Sequence, residues 1–211
     1  MTTAFAFNTF SNVDSQEALQ AARLRDLRRR RGVGALVFSF FGAVWLDMGV
    51  WFASHSAWQV AAVVAVGLVL ALVALRQVRM HRAGNLPGDT APELAAEQQE
   101  RDKAFYRVNR WQGQACFATV IGLNFAHMPQ WIAPVIMLIV GAHFLPLAKV
   151  FKSTAHVVTG WAMIATALIY PWLGTQGPTN PYGPMAAGVI LWLSAAWACW
   201  AYRNEGAHGG R

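Results

Sequence analysis

Charged side chains are scarce in this 211-residue chain: Asp, Glu, Lys and Arg make up only 13% of it, against about a quarter in an ordinary soluble domain. That shortage excludes a surface wetted on every side. Cysteine is scarcer still. Cys116 and Cys199 lie in separate apolar stretches, in no metal-ligand spacing and too few for a disulfide framework, so both read as small packed residues. Enzyme signatures are missing too, with no phosphate loop, no Gly-x-Ser-x-Gly turn and no His-Glu-x-x-His helix. Ser39 and Ser194 lie in apolar stretches without a clear partner base. The opening MTTAFAFNTFSNVDSQ lacks the basic start of a secretory signal, and RLRDLRRRR precedes the first apolar block. The N-terminal arm is therefore expected to stay in the cytoplasm.

What is present is grease, arranged in blocks. Hydrophobic residues make up 55% of the chain and there are ten tryptophans. Six stretches, about 32–53, 58–76, 110–127, 131–150, 155–173 and 185–203, approach the length a helix needs to cross a bilayer. The loops after the first, third and fifth, SHSA, HMPQ and GTQGPTNPYGP, contain no Lys or Arg. All 17 basic residues fall in the N-terminal arm, the loops at 76–110 and 149–152, or the C-terminal tail. The positive-inside rule then puts both termini in the cytoplasm. Trp51, Trp58, Trp131 and Trp172 fall near the outer boundary and Trp111, Trp197 and Trp200 near the inner one, while Trp192 is expected within the bundle. The fold class is all-α: a polytopic membrane protein, a six-transmembrane-helix bundle with cytoplasmic helical extensions.

The expected organisation is a cytoplasmic amphipathic arm (1–31), a membrane hairpin (32–76), a cytoplasmic loop and helix (77–109), two further hairpins (110–152 and 153–203) and a cytoplasmic tail (204–211). Asp14 with Glu17, and Thr90 with Glu93, have the spacing of helix-opening capping boxes. A helix from near Ala91 to near His127 would be about 55 Å long. At an offset of 76 residues the two arms align, Arg25-Asp26 on Arg101-Asp102 and Arg31 on Arg107. Two copies inserted in the same direction would be related by an axis along the membrane normal; shared capping and topology signals would give the same pattern.

Polar groups at bilayer depth carry the functional argument, because each costs energy there unless paired or wet. Asp47 is the only carboxylate within any span, and Asn124 lies at a similar depth. With Tyr170 they place polar groups toward the outer side of three odd-numbered spans. His143 lies near the middle, three residues before Pro146. Pro146 lacks an N–H, so the Ala142 carbonyl loses its helical donor, and an imidazole could tend the opened backbone. Asp47, Asn124 and His143 are the candidate ligand or proton site, and Gly141 and Pro146 the candidate hinge. The structural alternative makes Asp47 and Asn124 interhelical glue and His143 part of the hinge. Of the other histidines, His55 and His127 belong at the outer surface, His81 and His156 at the inner one, and His208 in the tail. Three of them cannot share a level, and so a zinc ion, without broken helices; His55, His127 and Asp47 could at best form an outer-surface cluster, and no metal, no cofactor and no catalytic residue is assigned.

The stretch GAHFLPLAKVFK, residues 141–152, resembles small multi-span bacterial membrane proteins of uncharacterised families. That resemblance implies Gly141, His143, Pro146 and Leu147 as a signature and a bacterial inner-membrane location; it implies no activity. The net charge of +7 is confined to a few loops, so nucleic acid is not an expected partner. Arg28, Arg29, Arg30, Arg31, Arg76, Arg79 and Arg82 are candidates for anionic lipid headgroups, with topology determination as the alternative. Small residues in the last hairpin, Gly160, Ala167, Gly188 and Ala195, suit close packing inside the bundle or across a homo-oligomer. The leading expectation is a non-enzymatic permease, channel-like unit or sensor with an intramembrane polar site. A scaffold using its basic cytoplasmic arms comes second, and a membrane-embedded hydrolase third.

Overall fold

The computed structural model describes residues 3–80, 92–173 and 175–208, with side chains described over 16–80, 92–173 and 175–200. Every regular element among the described residues is helical. No proline interrupts the first helix, α1 (Thr3–Ser54), and its 52 residues run about 78 Å at 1.5 Å per residue. The basic arm and the first apolar stretch are thus one helix. Asp14 lies inside it rather than at its start, which corrects the capping expectation: helix propensity upstream carries the backbone back to Thr3. Thr90 lies outside the described residues.

The remaining helices are α2 (Ala57–Met80), α3 (Pro92–Phe125), α4 (Ile132–Phe151), α5 (Thr154–Ile169) and α6 (Tyr182–His208). His55, His127 and Lys152 follow α1, α3 and α4 with φ of 50°, 56° and 49°, the left-handed conformation that commonly ends a helix. At 34 residues α3 is about 51 Å long, so it too extends well beyond an apolar layer. Proline at its very start does no harm, because the first-turn N–H groups have no intrahelical partner.

Four helical segments are long and apolar enough to cross a membrane: Gln16–Ser54, Ala57–Met80, Pro129–Phe151 and Tyr182–Trp200. The other two stretches expected to cross fall short for separate reasons. Polar side chains such as Gln112, Gln114 and Asn124 dilute α3. The 16 residues of α5 end where Pro171 turns the chain into a 3₁₀ segment, Tyr170–Trp172.

Packing follows a simple order. α1 lies against α2 and α6, α4 lies against α3 and α5, and α5 meets α6 to join the halves. Met137, Met163, Leu191 and Ser39 are fully buried where these helices meet. Glycines set the closest crossings. A Cβ on Gly188 would stand 2.6 Å from the Gly42 carbonyl oxygen, and one on Gly141 would stand 2.9 Å from that of Gly160. Trp192 donates its indole N–H to the Ser39 carbonyl at 3.1 Å, tying α6 to α1 from within the bundle. By contrast α2 buries only Gly67, Ala74 and Gln77.

The ends of the molecule differ. At the basic end the extensions of α1 and α3 run side by side in the same direction. Arg23 pairs with Glu97 at 2.7 Å, and Asp26 takes Arg30 at 2.5 Å, Arg101 at 3.3 Å and the Gln98 amide at 3.3 Å. Parallel arms are what two similarly inserted copies would give. At the far end the α5–α6 connection is a structured cap. Asn180 donates to the Leu173 carbonyl at 2.6 Å and accepts from the Tyr182 N–H at 3.0 Å.

Candidate functional site

The close crossing of α4 and α5 at Gly141 and Gly160 brings two histidines together. His143 on α4 has its ring centroid 5.7 Å from that of Phe144, and His156 on α5 lies 6.1 Å from the same phenyl. His156 also touches Phe38 of α1 at 5.5 Å and Phe151 of α4 at 5.6 Å. Phe38 meets Phe144 at 5.4 Å and Phe151 meets Phe105 of α3 at 5.8 Å. One aromatic chain therefore joins α1, α3, α4 and α5. Within it, the Nδ1 atoms of both imidazoles are buried and have no hydrogen-bond partner. The His143 ring N–H donates to the Val108 backbone carbonyl of α3.

His143 borders a groove of about 310 Å³ between α3 and α4, lined by Val108, Trp111, Gln112, Ala115, Ile139 and Pro146. Pro146 lies inside an otherwise continuous α4, and its ring forms part of that wall. The bond to Val108 reaches a neighbouring helix, whereas the local sequence points the imidazole at the Ala142 carbonyl. Gly141 spends its missing side chain on the contact with Gly160.

The other candidates lie elsewhere. Asp47, half-buried on α1, has an Oδ1 that is buried without a hydrogen-bond partner. Asn124 is exposed on α3 and donates back to the Val120 carbonyl of its own helix at 2.7 Å. No hydrogen bond or ring contact joins Asp47, Asn124 and His143 among the described residues. Tyr170 is buried in the far-end cap, its hydroxyl 3.3 Å from the Pro178 carbonyl. His55 stacks edge-on against Trp51 at 5.5 Å, and His127 is exposed. Among the described residues no three His, Cys, Asp or Glu side chains converge on a common point.

The hydroxyls have partners already. The Thr159 and Ser194 hydroxyls lie 2.6 Å apart between α5 and α6, so one donates to the other while the acceptor donates to a carbonyl of its own helix at 2.8 Å. Ser39 bonds the Ala35 carbonyl at 2.7 Å. Such back-bonded hydroxyls hold helices together. At the α4–α5 crossing the unmet polar capacity is in the imidazoles, and on α1 it is in Asp47.

Sequence alone assigns His156 to the inner surface because it follows Lys149 and Lys152 closely. The two-residue turn at Lys152 and Ser153 folds α5 straight back on α4, and Phe38 arrives from a helix more than a hundred residues away. No local pattern marks that contact.

Residues 112–201 match the model of a family of unknown function (DUF7010). No curated protein and no solved structure matches the chain. The matched segment covers less than half of the chain. It begins one turn before the α3 wall of the groove ends and runs through α4 and α5 into α6, so both histidines are inside it. Asp47, α2 and the arm of α1 are outside it. The match agrees with the sequence resemblance at the level of an uncharacterised family. Together with the apolar helices it is what a membrane protein of unspecified activity presents.

Proposed function

We propose that the chain is a six-span membrane protein with both termini on the basic, cytoplasmic side, and that it works as a non-enzymatic permease-like or sensor unit. Its responsive element is the pair His143 and His156. The observation that carries this reading is their shared phenyl and their two buried, unpartnered Nδ1 atoms. Leaving a buried polar atom unsatisfied costs about 1–3 kcal/mol, and ionisable groups at bilayer depth ordinarily mark a pathway or a switch. Imidazole changes charge in the physiological pH range. A proton taken up here would disturb a junction to which α1, α3, α4 and α5 all contribute.

The span count is supported by α3 and α5, which start near the basic end as the positive-inside pattern requires. Asp47 is a second proton or cation handle farther along α1, with Asn124 at a similar height on a different helix. Gly141 and Pro146 are the proposed hinge, bracketing His143. A scaffold role is the second reading. Ion pairing of the two arms with each other favours an internal clamp over free docking segments.

The test is proton and small-ion flux in proteoliposomes, together with tryptophan fluorescence on acidification, since Trp111 borders the His143 groove. Wild type should respond to acidification in at least one readout. His143→Ala and His156→Ala should each abolish that response, and Asp47→Asn should lower flux. If wild type gives no response, or both histidine variants respond like wild type, the reading is wrong.

A further inference from the structure

Beyond the histidine pair, α3 has the barest surface of the bundle. Its apolar stretch touches α4 through Gln112, Cys116, Thr119 and Leu123, which are half-buried, while most of the rest is exposed. On the open side Lys103, Arg107, Arg110 and Gln114 recur at helical spacing, so they form one straight stripe. The three cations border a surface cavity of about 460 Å³ with Tyr106 and one carboxylate, Asp102. Lys103 also reaches Glu100 at 3.0 Å. Arg107 and Arg110 have no ion pair or hydrogen bond among the described residues, whereas Arg101, two turns earlier, is taken up by Asp26. Toward the far end the stripe turns apolar, with Phe117 69% exposed.

We propose that this face binds an anionic phospholipid, an inference that rests on the membrane-spanning reading. Arg107 and Arg110 hold the phosphate, helped by Lys103 and the Tyr106 hydroxyl. The Gln114 amide, one turn farther along, faces the glycerol ester oxygens, and Phe117 and Ile121 lie along the acyl chains. Arginine suits this task because its planar fork donates in parallel to phosphate oxygens. A free anion would have no use for the amide and the apolar strip below. A second copy of the chain is disfavoured by charge. A parallel two-fold contact through this face would set Arg107 and Arg110 level with their own counterparts.

Native mass spectrometry of the full chain purified in detergent tests this, with phosphatidylglycerol, phosphatidylcholine and inorganic phosphate as separate additions. Wild type should retain phosphatidylglycerol over phosphatidylcholine. Arg107→Ala/Arg110→Ala should cut that preference about tenfold or more, in line with two basic side chains near an anionic surface. Far-UV circular dichroism of the variant confirms that it remains folded. An equal loss in Lys149→Gln/Lys152→Gln, two exposed cations at the basic end outside this stripe, would reveal diffuse surface charge and overturn the site. So would competition by inorganic phosphate at millimolar levels, or dimers dependent on Arg107 and free of lipid. Failure of the membrane-spanning reading would show separately, as a chain monodisperse without detergent.

Discussion

Gly141 illustrates what a single residue decides here. A side chain at this position would meet the Gly160 carbonyl oxygen, the Ile164 nitrogen and Ile164 Cγ1, each at 2.9 Å. Two of those atoms are backbone and cannot swing away. Gly141→Val should therefore lower the denaturation midpoint in mixed detergent micelles, by an amount equivalent to about 1–3 kcal/mol. It should also separate His143 from His156, because both hang from the helices this glycine lets together. At Gly113 and Gly122 an added methyl group would have no neighbour within 4 Å, so alanine there should leave the midpoint unchanged or raised. An equal loss at all three positions would show that helix propensity, rather than the α4–α5 crossing, governs stability. His143 was legible as an imidazole in an apolar run. His156 was not, because Phe38, Phe144 and Phe151 surround it only after three helices have met.

At the scale of elements the arms are the informative part. Asp26 has a side chain only 14% exposed and accepts from partners on both α1 and α3. An exposed ion pair is worth little, about 0.2–1 kcal/mol, but a half-buried network shared by two helices should exceed a single rim contact. Asp26→Arg should loosen the arms, and adding Arg101→Asp should recover part of the loss. A double-mutant cycle read by chemical denaturation measures the recovery; strictly additive effects would mean the clamp contributes nothing. The helical character of both extensions was readable from their composition, as was the long run of α3. Their pairing was not, since charges 74 or 75 residues apart carry no label for each other. The capping pattern at Asp14 misled for a related reason: a cap spacing states where a helix can begin, and the residues before it decide whether it already has.

For the whole molecule, the number of crossings fixes which connections share a side. Six crossings, as proposed, would place Ser56, Gln130 and Thr179 on one side and Ser153 on the other. In a chain whose Cys116 and Cys199 are replaced, single cysteines at the first three positions should react with an impermeant maleimide added to intact cells, and one at Ser153 should react only after lysis. If α3 and α5 failed to cross, the reactivities of Ser56, Gln130 and Thr179 would diverge.

Hydropathy and charge are local properties, and they determined what the sequence could reveal alone: an all-helical chain, its apolar blocks, and the confinement of Lys and Arg to one set of loops. They also pointed to Trp192 inside the bundle, since packing preference follows from side-chain size and polarity. Which blocks touch was decided only in three dimensions. Asp47 and Asn124 share a depth on paper, yet depth is one coordinate and azimuth around the bundle is another, and among the described residues no hydrogen bond joins the two. The same missing coordinate joined His143 to His156 across one phenyl ring, because helix contacts depend on how shapes fit at glycine crossings rather than on distance along the chain.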